Sequence, residues 1–331
     1  MAVPEGERYI FLDENEYDAL VASKRVLHLK FGRNQAAALI EHASGELLAL
    51  AGFEADDLAP TAHIREIEVS PGLAVAMLED LEVDPSAGPA AVVDVVAAGS
   101  KGAPDYPGHE LELVAALYPR LTGLEIDPEA AGADYFHANV LAACARHGAH
   151  GNGWINAALS DELVLLAEQR ITGLPYEFLI RAVLDLTPSS LFLALYRCLE
   201  ATYAYTKASE LAETLETGRS WIEVAQALGD TLNWYPRHDQ ALAAVLALPP
   251  VNSDELAALA VSLGRDQGAD SLPTRVAAGV RELRNSLVHY GPTTRQVAIL
   301  GDDWNGLCIP LARVVGCVFA HAYAVPSAPA R

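Results

Sequence analysis

Residues 271–291 read SLPTRVAAGVRELRNSLVHYG. Ser271-Leu272-Pro273 opens a helix, since proline in the first turn gives up an N–H that would have no partner there, and Gly291-Pro292 closes it. At ~100° per residue, Val276, Val280, Leu283 and Leu287 fall in a stripe about 60° wide, which is the expected core face. Asn285 and His289 lie nearly opposite, within ~40° of each other, and Arg281 lies beside them. Arg284 sits on the flank, ~140° from His289, so its long side chain has to curl to reach the imidazole. Val288 shares that outer side. A polar cluster with an apolar neighbour, turned away from the core, describes a surface that something else covers.

The same punctuation extends outward from this helix. Thr187-Pro188 supplies an N-cap and a first-turn proline for a helix running to about Glu216, with Gly218 as its stop. Ser220-Trp221-Ile222-Glu223 is a capping box opening a second helix that Pro236 ends. A shorter helix is expected over Asp254–Leu263 and a last one over about Ile309–Ala324. Residues 185–331 therefore read as an all-α helical bundle with short connections.

Residues 1–184 read differently, as an α/β or α+β domain. Tyr9–Leu12, Val26–Phe31, Ile64–Val69 and Ala91–Val96 are rich in β-branched or aromatic residues and are expected strands. Gln35–Leu50, Leu73–Leu81 and Glu110–Leu117 are expected helices. PSAGP at 85–89 and GSKGAPDYPG at 99–108 mark loops, and neither matches a phosphate-binding loop. His137, Cys144, His147 and His150 are residue types that bind zinc. Their spacing fits no zinc template and reads as ordinary helix-end histidines, so no metal or other cofactor is expected.

The chain has 331 residues, 22 of them basic and 44 acidic, a net charge of −22. Such a balance argues against indiscriminate coating of nucleic acid or binding to an anionic membrane. The charge is uneven: residues 1–187 carry a balance of −19 and residues 188–331 only −3, so the second half alone tolerates a polyanion. The most apolar segment, Gly306–Val325, is interrupted by Arg313 and His321, so no membrane span is expected. The opening residues are acidic and lack a secretory pattern, and the four cysteines form no C-x-x-C pair. A cytoplasmic protein with reduced thiols is expected.

Arg284-Asn285-Ser286-Leu287-Val288-His289 resembles the R-N-x-x-x-H motif of the HEPN superfamily, and VRELRNSLVHYG is particularly similar to its bacterial defence branch. The resemblance covers about residues 185–325. It implies a homodimeric, metal-independent endoribonuclease, a hydrolase of RNA acting as a toxin or in antiphage defence by abortive infection. Arg284, Asn285 and His289 would be its catalytic residues. Glu200 resembles a position that supports the motif in some members. Tyr290 stands where this chain departs from a toxin branch with R-x4-H-x-Y, since the order here is H-Y-G. That departure puts regulation by tyrosine modification in doubt. A catalytically silent HEPN bundle, serving as a dimerisation or nucleotide-binding module, is the alternative.

The residue types suit that chemistry without a metal. An imidazole exchanges protons near neutral pH, a guanidinium holds phosphoryl oxygens in a bidentate fork, and a carboxamide orients either partner. Arg281 is the expected second phosphate contact. The acidic N-terminal domain would bind a regulatory protein or ligand, or restrain the nuclease.

Overall fold

A computed structural model describes residues 12–42, 45–53, 63–97, 108–128, 132–151, 153–289 and 299–324. Contacts divide the chain into two units, Met1–Ala143 and Cys144–Arg331. The fold is mixed: an antiparallel sheet lies in the N-terminal unit and the C-terminal unit is helical among the described residues.

In the first unit, α1 (Glu14–Ala22) starts on a capping box in which Asp13 accepts the Glu16 N–H at 2.9 Å and the Glu16 carboxylate accepts the Asp13 N–H at 3.3 Å. Strands β1 (Lys24–Lys30), β2 (Ala36–His42), β3 (Gly45–Ala51), β4 (Ile64–Ile67) and β5 (Leu121–Ile126) form one sheet in the order β1-β2-β3-β5-β4. Every pairing is antiparallel, which makes this unit α+β rather than α/β. Ala36, Ala38, Ile40, Leu47, Ala49 and Ala51 share a core with Leu73, Met77 and Leu81 of α2 (Pro71–Leu81). Gly72 of α2 is obligatory in this packing, because a Cβ there would stand 2.1 Å from the Glu16 carbonyl oxygen of α1.

Two expectations are corrected here. Residues 35–50 are not a helix but the β2–β3 hairpin, whose register pairs His42 with Gly45. Ala37, Leu39, Leu48 and Leu50, on the opposite face, are as buried as the core set, and strands buried on both faces lose the alternation that distinguishes them from a helix. Ala91–Val96 is not a strand but the body of α3 (Pro89–Ala97). Its Val92, Val95 and Val96 follow helical spacing and line one cavity, so packing overrides the β-propensity of valine. The expected strand Val26–Phe31 corresponds to β1, and Ile64–Val69 to β4. The helix expected over Glu110–Leu117 is the shorter α4 (Leu111–Ala115). Tyr9, Ile10 and Phe11 and most of the 99–108 loop lie outside the described residues. The helix α5 (Ala133–Gly151) follows and carries the division between the units.

The second unit contains α6 (Ala157–Glu168), α7 (Tyr176–Leu184), α8 (Pro188–Ala201), α9 (Tyr205–Thr214), α10 (Trp221–Leu232), α11 (His238–Leu246), α12 (Ser253–Ser262), α13 (Leu272–Val288) and α14 (Trp304–Ala322). Helix α14 is central and packs on α6, α8 and α12. It is the one helix among the described residues long and apolar enough to cross a membrane, and it is mostly buried by its neighbours. Asp303 caps it through the Gly306 N–H at 2.8 Å, and the helix begins at Trp304, five residues before the expected start at Ile309. Pro310 lies inside this helix and cannot donate to the Gly306 carbonyl; the Ser262 hydroxyl stands 3.4 Å from that oxygen instead. Arg313 of α14 donates to Glu162 of α6 at 2.6 Å and to Glu255 of α12 at 3.1 Å, tying three helices together.

The helix expected from Thr187 to Glu216 is two helices. Thr202, buried, turns its hydroxyl back to the Leu199 carbonyl at 2.8 Å, and the chain bends over 202–204 before α9. Thr187 stands at the N-cap of α8 without a capping side-chain bond. Asp185 braces the entry to the helix instead, accepting the Thr187 N–H and the Ser190 hydroxyl, each at 2.8 Å. The Thr187 N–H, and then the Ser190 hydroxyl, hold the Asp185 carboxyl below the usual carboxylate range. A depressed folded-state pKa contributes stability above the unfolded value, near pH ~3.9, that is lost as pH falls through the folded one. Asp185→Asn is therefore expected to lower stability at pH 7 by less than about 1 kcal/mol, because the group is mostly exposed, and to converge with wild type in acid-side melts.

Candidate functional site

Helix α13 is held between α8, α11 and α12. At Gly279 a Cβ would stand 3.0 Å from side-chain atoms of Leu263 and Arg265, so a small residue permits the close approach to the end of α12. Arg265 also pairs with Glu282, and Arg275 donates to the Arg265 carbonyl at 2.8 Å. Val276, Val280 and Leu283 are buried as expected. Leu287 is corrected: it is 38% exposed, one residue before α13 ends at Val288.

That helix end creates the geometry of the site. His289 is the C-cap, with extended backbone angles of φ −107° and ψ 105°, and its N–H still donates to the Asn285 carbonyl at 2.9 Å. Leaving the helix swings the imidazole out of the position that a continued wheel assigns to it. The Arg284 Nη1 lies 3.3 Å from the His289 Nε2 and donates to the Asn285 Oδ1 at 3.1 Å. A guanidinium has no acceptor, so a hydrogen bond here requires the tautomer with the lone pair on Nε2 and the proton on Nδ1. Arg284 is half-buried and His289 exposed, so the triad opens to solvent through the imidazole.

Behind the triad stand two phenols that sequence reading missed, together with Glu200, which it had named. The Arg284 guanidinium carbon lies 5.7 Å from the centre of the buried Tyr196 ring, a cation–π contact from α8. The Tyr203 hydroxyl donates to the Tyr196 oxygen at 3.4 Å. Tyr196 is hydrogen-bonded in turn to Glu200, one turn along α8. Burial is the main reason that both phenols titrate above their ordinary value, so they remain neutral donors and the relay runs from Tyr203 through Tyr196 to the Glu200 carboxylate. Tyr196, Glu200 and Tyr203 are spaced i, i+4, i+7, which was the signal available in the sequence. It becomes visible only once α8 is known to face α13. Arg281 lies one turn before Asn285 on α13, half-buried. Tyr290 lies outside the described residues.

Other candidate centres fare differently. Among the described residues no three His, Cys, Asp or Glu side chains converge as a metal site would require. Of the earlier zinc-type cluster, Cys144 is buried and the His137 ring nitrogen Nδ1 is 2.8 Å from the Ala133 carbonyl oxygen. Burial pushes the Cys198 thiol up to about 12 and raises Cys308 and Cys317 as well, so these three are protonated thiols rather than nucleophiles at neutral pH.

No family model matches this chain, and neither does any curated protein or solved structure.

Proposed function

We propose that residues 185–331, within the second unit, form a HEPN-type, metal-independent endoribonuclease that works as a homodimer in toxin or antiphage defence. The observation that carries this reading is the Arg284–His289 contact of 3.3 Å, joined by Asn285 and opening to solvent at the imidazole. In the reaction the RNA 2′-oxygen attacks its adjacent phosphorus and gives its proton to the His289 Nε2 lone pair. The bond from phosphorus to the 5′-oxygen breaks, leaving a 2′,3′-cyclic phosphate and a 5′-hydroxyl. Arg284 turns from the imidazole to the phosphoryl oxygens as charge develops on them. The departing 5′-oxygen needs a proton of its own, which the imidazolium of a second copy supplies across a twofold axis. Tyr196 and Glu200 act as positioning residues, holding the guanidinium from behind. The acidic residues 1–184 would restrain the site or bind the trigger.

One further feature supports the dimer. Val288 is 49% exposed and adjoins exposed Leu287 and His289, an apolar pair at the edge of the site. Packed against its own copy, that pair would bring two imidazoles into one cleft. Val288→Asp is expected to shift the sedimentation mass from two chains to one and to lower cleavage about tenfold or more, since a buried, unpaired carboxylate opposes the contact. A wild type that sediments as one chain at micromolar concentration contradicts this arrangement.

The reading is tested by incubating RNA with the purified protein in EDTA and identifying the fragment ends. Cyclic phosphates and 5′-hydroxyls are expected. If wild type and His289→Ala are equally inert on several RNAs, the silent dimerisation or nucleotide-binding bundle is the better account, and the overall charge of −22 favours it.

A further inference from the structure

A groove in the second unit is lined in part by Tyr203, whose hydroxyl bonds Tyr196 beneath Arg284. It has a volume of about 740 Å3 and is walled by α9, α10 and α11 and by the 233–237 segment between the last two. Asn233 builds that segment: in the left-handed region at φ 51° it caps α10, and its N–H bonds the Gly229 carbonyl at 3.0 Å. The chain then folds back, with the Trp234 N–H 3.3 Å from the Leu228 carbonyl, and Trp234 and Tyr235 line the groove. Tyr235 is 72% exposed and Leu232 is 68% exposed. Tyr203, whose hydroxyl reaches Tyr196 beneath Arg284, lines the opposite end.

We propose that this groove holds the base of a nucleotide next to the scissile phosphate, an inference that rests on the ribonuclease reading and extends it to how the strand is held. Four observations choose a base over other occupants. The volume lies within the ~300–1,000 Å3 of small-ligand sites and suits one nucleoside rather than a peptide helix. Trp234 and Tyr235 offer aromatic faces on an open wall, which is how proteins hold unpaired bases without needing one sequence. Cations stand at the rim, Arg237 at the start of α11 and Lys207 of α9, whose charge Glu210 partly offsets at 2.7 Å. Tyr203 ties the groove to the phenol pair beneath Arg284, its hydroxyl bonding Tyr196 at 3.4 Å, so a phosphate held at Arg284 has this recess within one nucleotide's reach.

The test uses the full chain carrying His289→Ala and a short 2′-O-methyl oligoribonucleotide, which has no free 2′-hydroxyl to attack. Trp234→Ala and Tyr235→Ala are expected to weaken its binding about 5- to 100-fold each, the loss of one stacked base, with unchanged thermal midpoints. An oligonucleotide with abasic sites should bind the unaltered groove as weakly as the normal one binds the variants. If the groove variants bind normally while wild type cleaves in EDTA, the base recess is overturned and the ribonuclease reading stands. If binding depends on Trp234 and on the bases while wild type cleaves nothing, the recess stands and the catalytic reading fails. Equal binding of abasic and normal strands overturns the recess in either case.

Discussion

His289→Ala is expected to reduce EDTA-resistant RNA cleavage by about 10²- to 10⁴-fold, the range by which a positioned general base or acid accelerates proton transfer. The expectation comes from one atom. Nε2 is the ring nitrogen 3.3 Å from Arg284, so in the tautomer with its lone pair there, the base required for deprotonating a 2′-hydroxyl faces the cation that would bind the phosphate. The substitution should leave the fold intact, because the side chain is exposed and the helix-ending bond uses only the His289 N–H. Asn285→Ala provides the internal comparison. Its carboxamide accepts from Arg284 at 3.1 Å but is given no proton to move, so its loss should cost clearly less than that of the imidazole. Single-turnover rates of the three proteins decide the matter, and equal losses would contradict the roles assigned.

Arg284→Lys should fail almost as completely, with kcat lowered by about 10²- to 10³-fold, although the charge is kept. The guanidinium meets three constraints at once: Asn285 Oδ1 at 3.1 Å, His289 Nε2 at 3.3 Å and the Tyr196 ring at 5.7 Å. A lysine ammonium is a point charge without a planar fork, and its stronger hydration opposes stacking on a ring. Tyr196→Phe tests the support behind Arg284 separately. It keeps the aromatic face while cutting the relay to Glu200, so it should change cleavage much less than Arg284→Lys does. If Arg284→Lys retains wild-type kcat, simple charge suffices and the assigned geometry has no catalytic role.

The legible parts of this molecule were those that short-range rules describe. The capping box at Ser220 exists, with the Glu223 carboxylate accepting the Ser220 N–H at 2.8 Å. Helix α13 begins after Ser271, and Arg284, Asn285 and His289 lie in contact at its end. What escaped depends on distant partners. Tyr196 and Tyr203 belong to the site because the chain bends at Thr202, yet 202–204 contains no glycine or proline to announce a break. Helix α11, which walls the groove, opens on Arg237 without a side-chain cap and so left no start signal.

Caps, turns and the 3.6-residue stripe are written into neighbouring residues, because their hydrogen bonds close within about four positions. For that reason the sequence alone determined the helices of the second unit that carry such marks, and it placed Arg284, Asn285 and His289 on the last turn of one of them. Whether residues 36–51 became a hairpin was settled by burial on both faces of a sheet completed by β5, some seventy residues away. Likewise, the release of His289 from the helix and the aromatic floor that α8 lays beneath Arg284 exist only in three dimensions. Those contacts join residues with no common local pattern, and only packing brings them within reach.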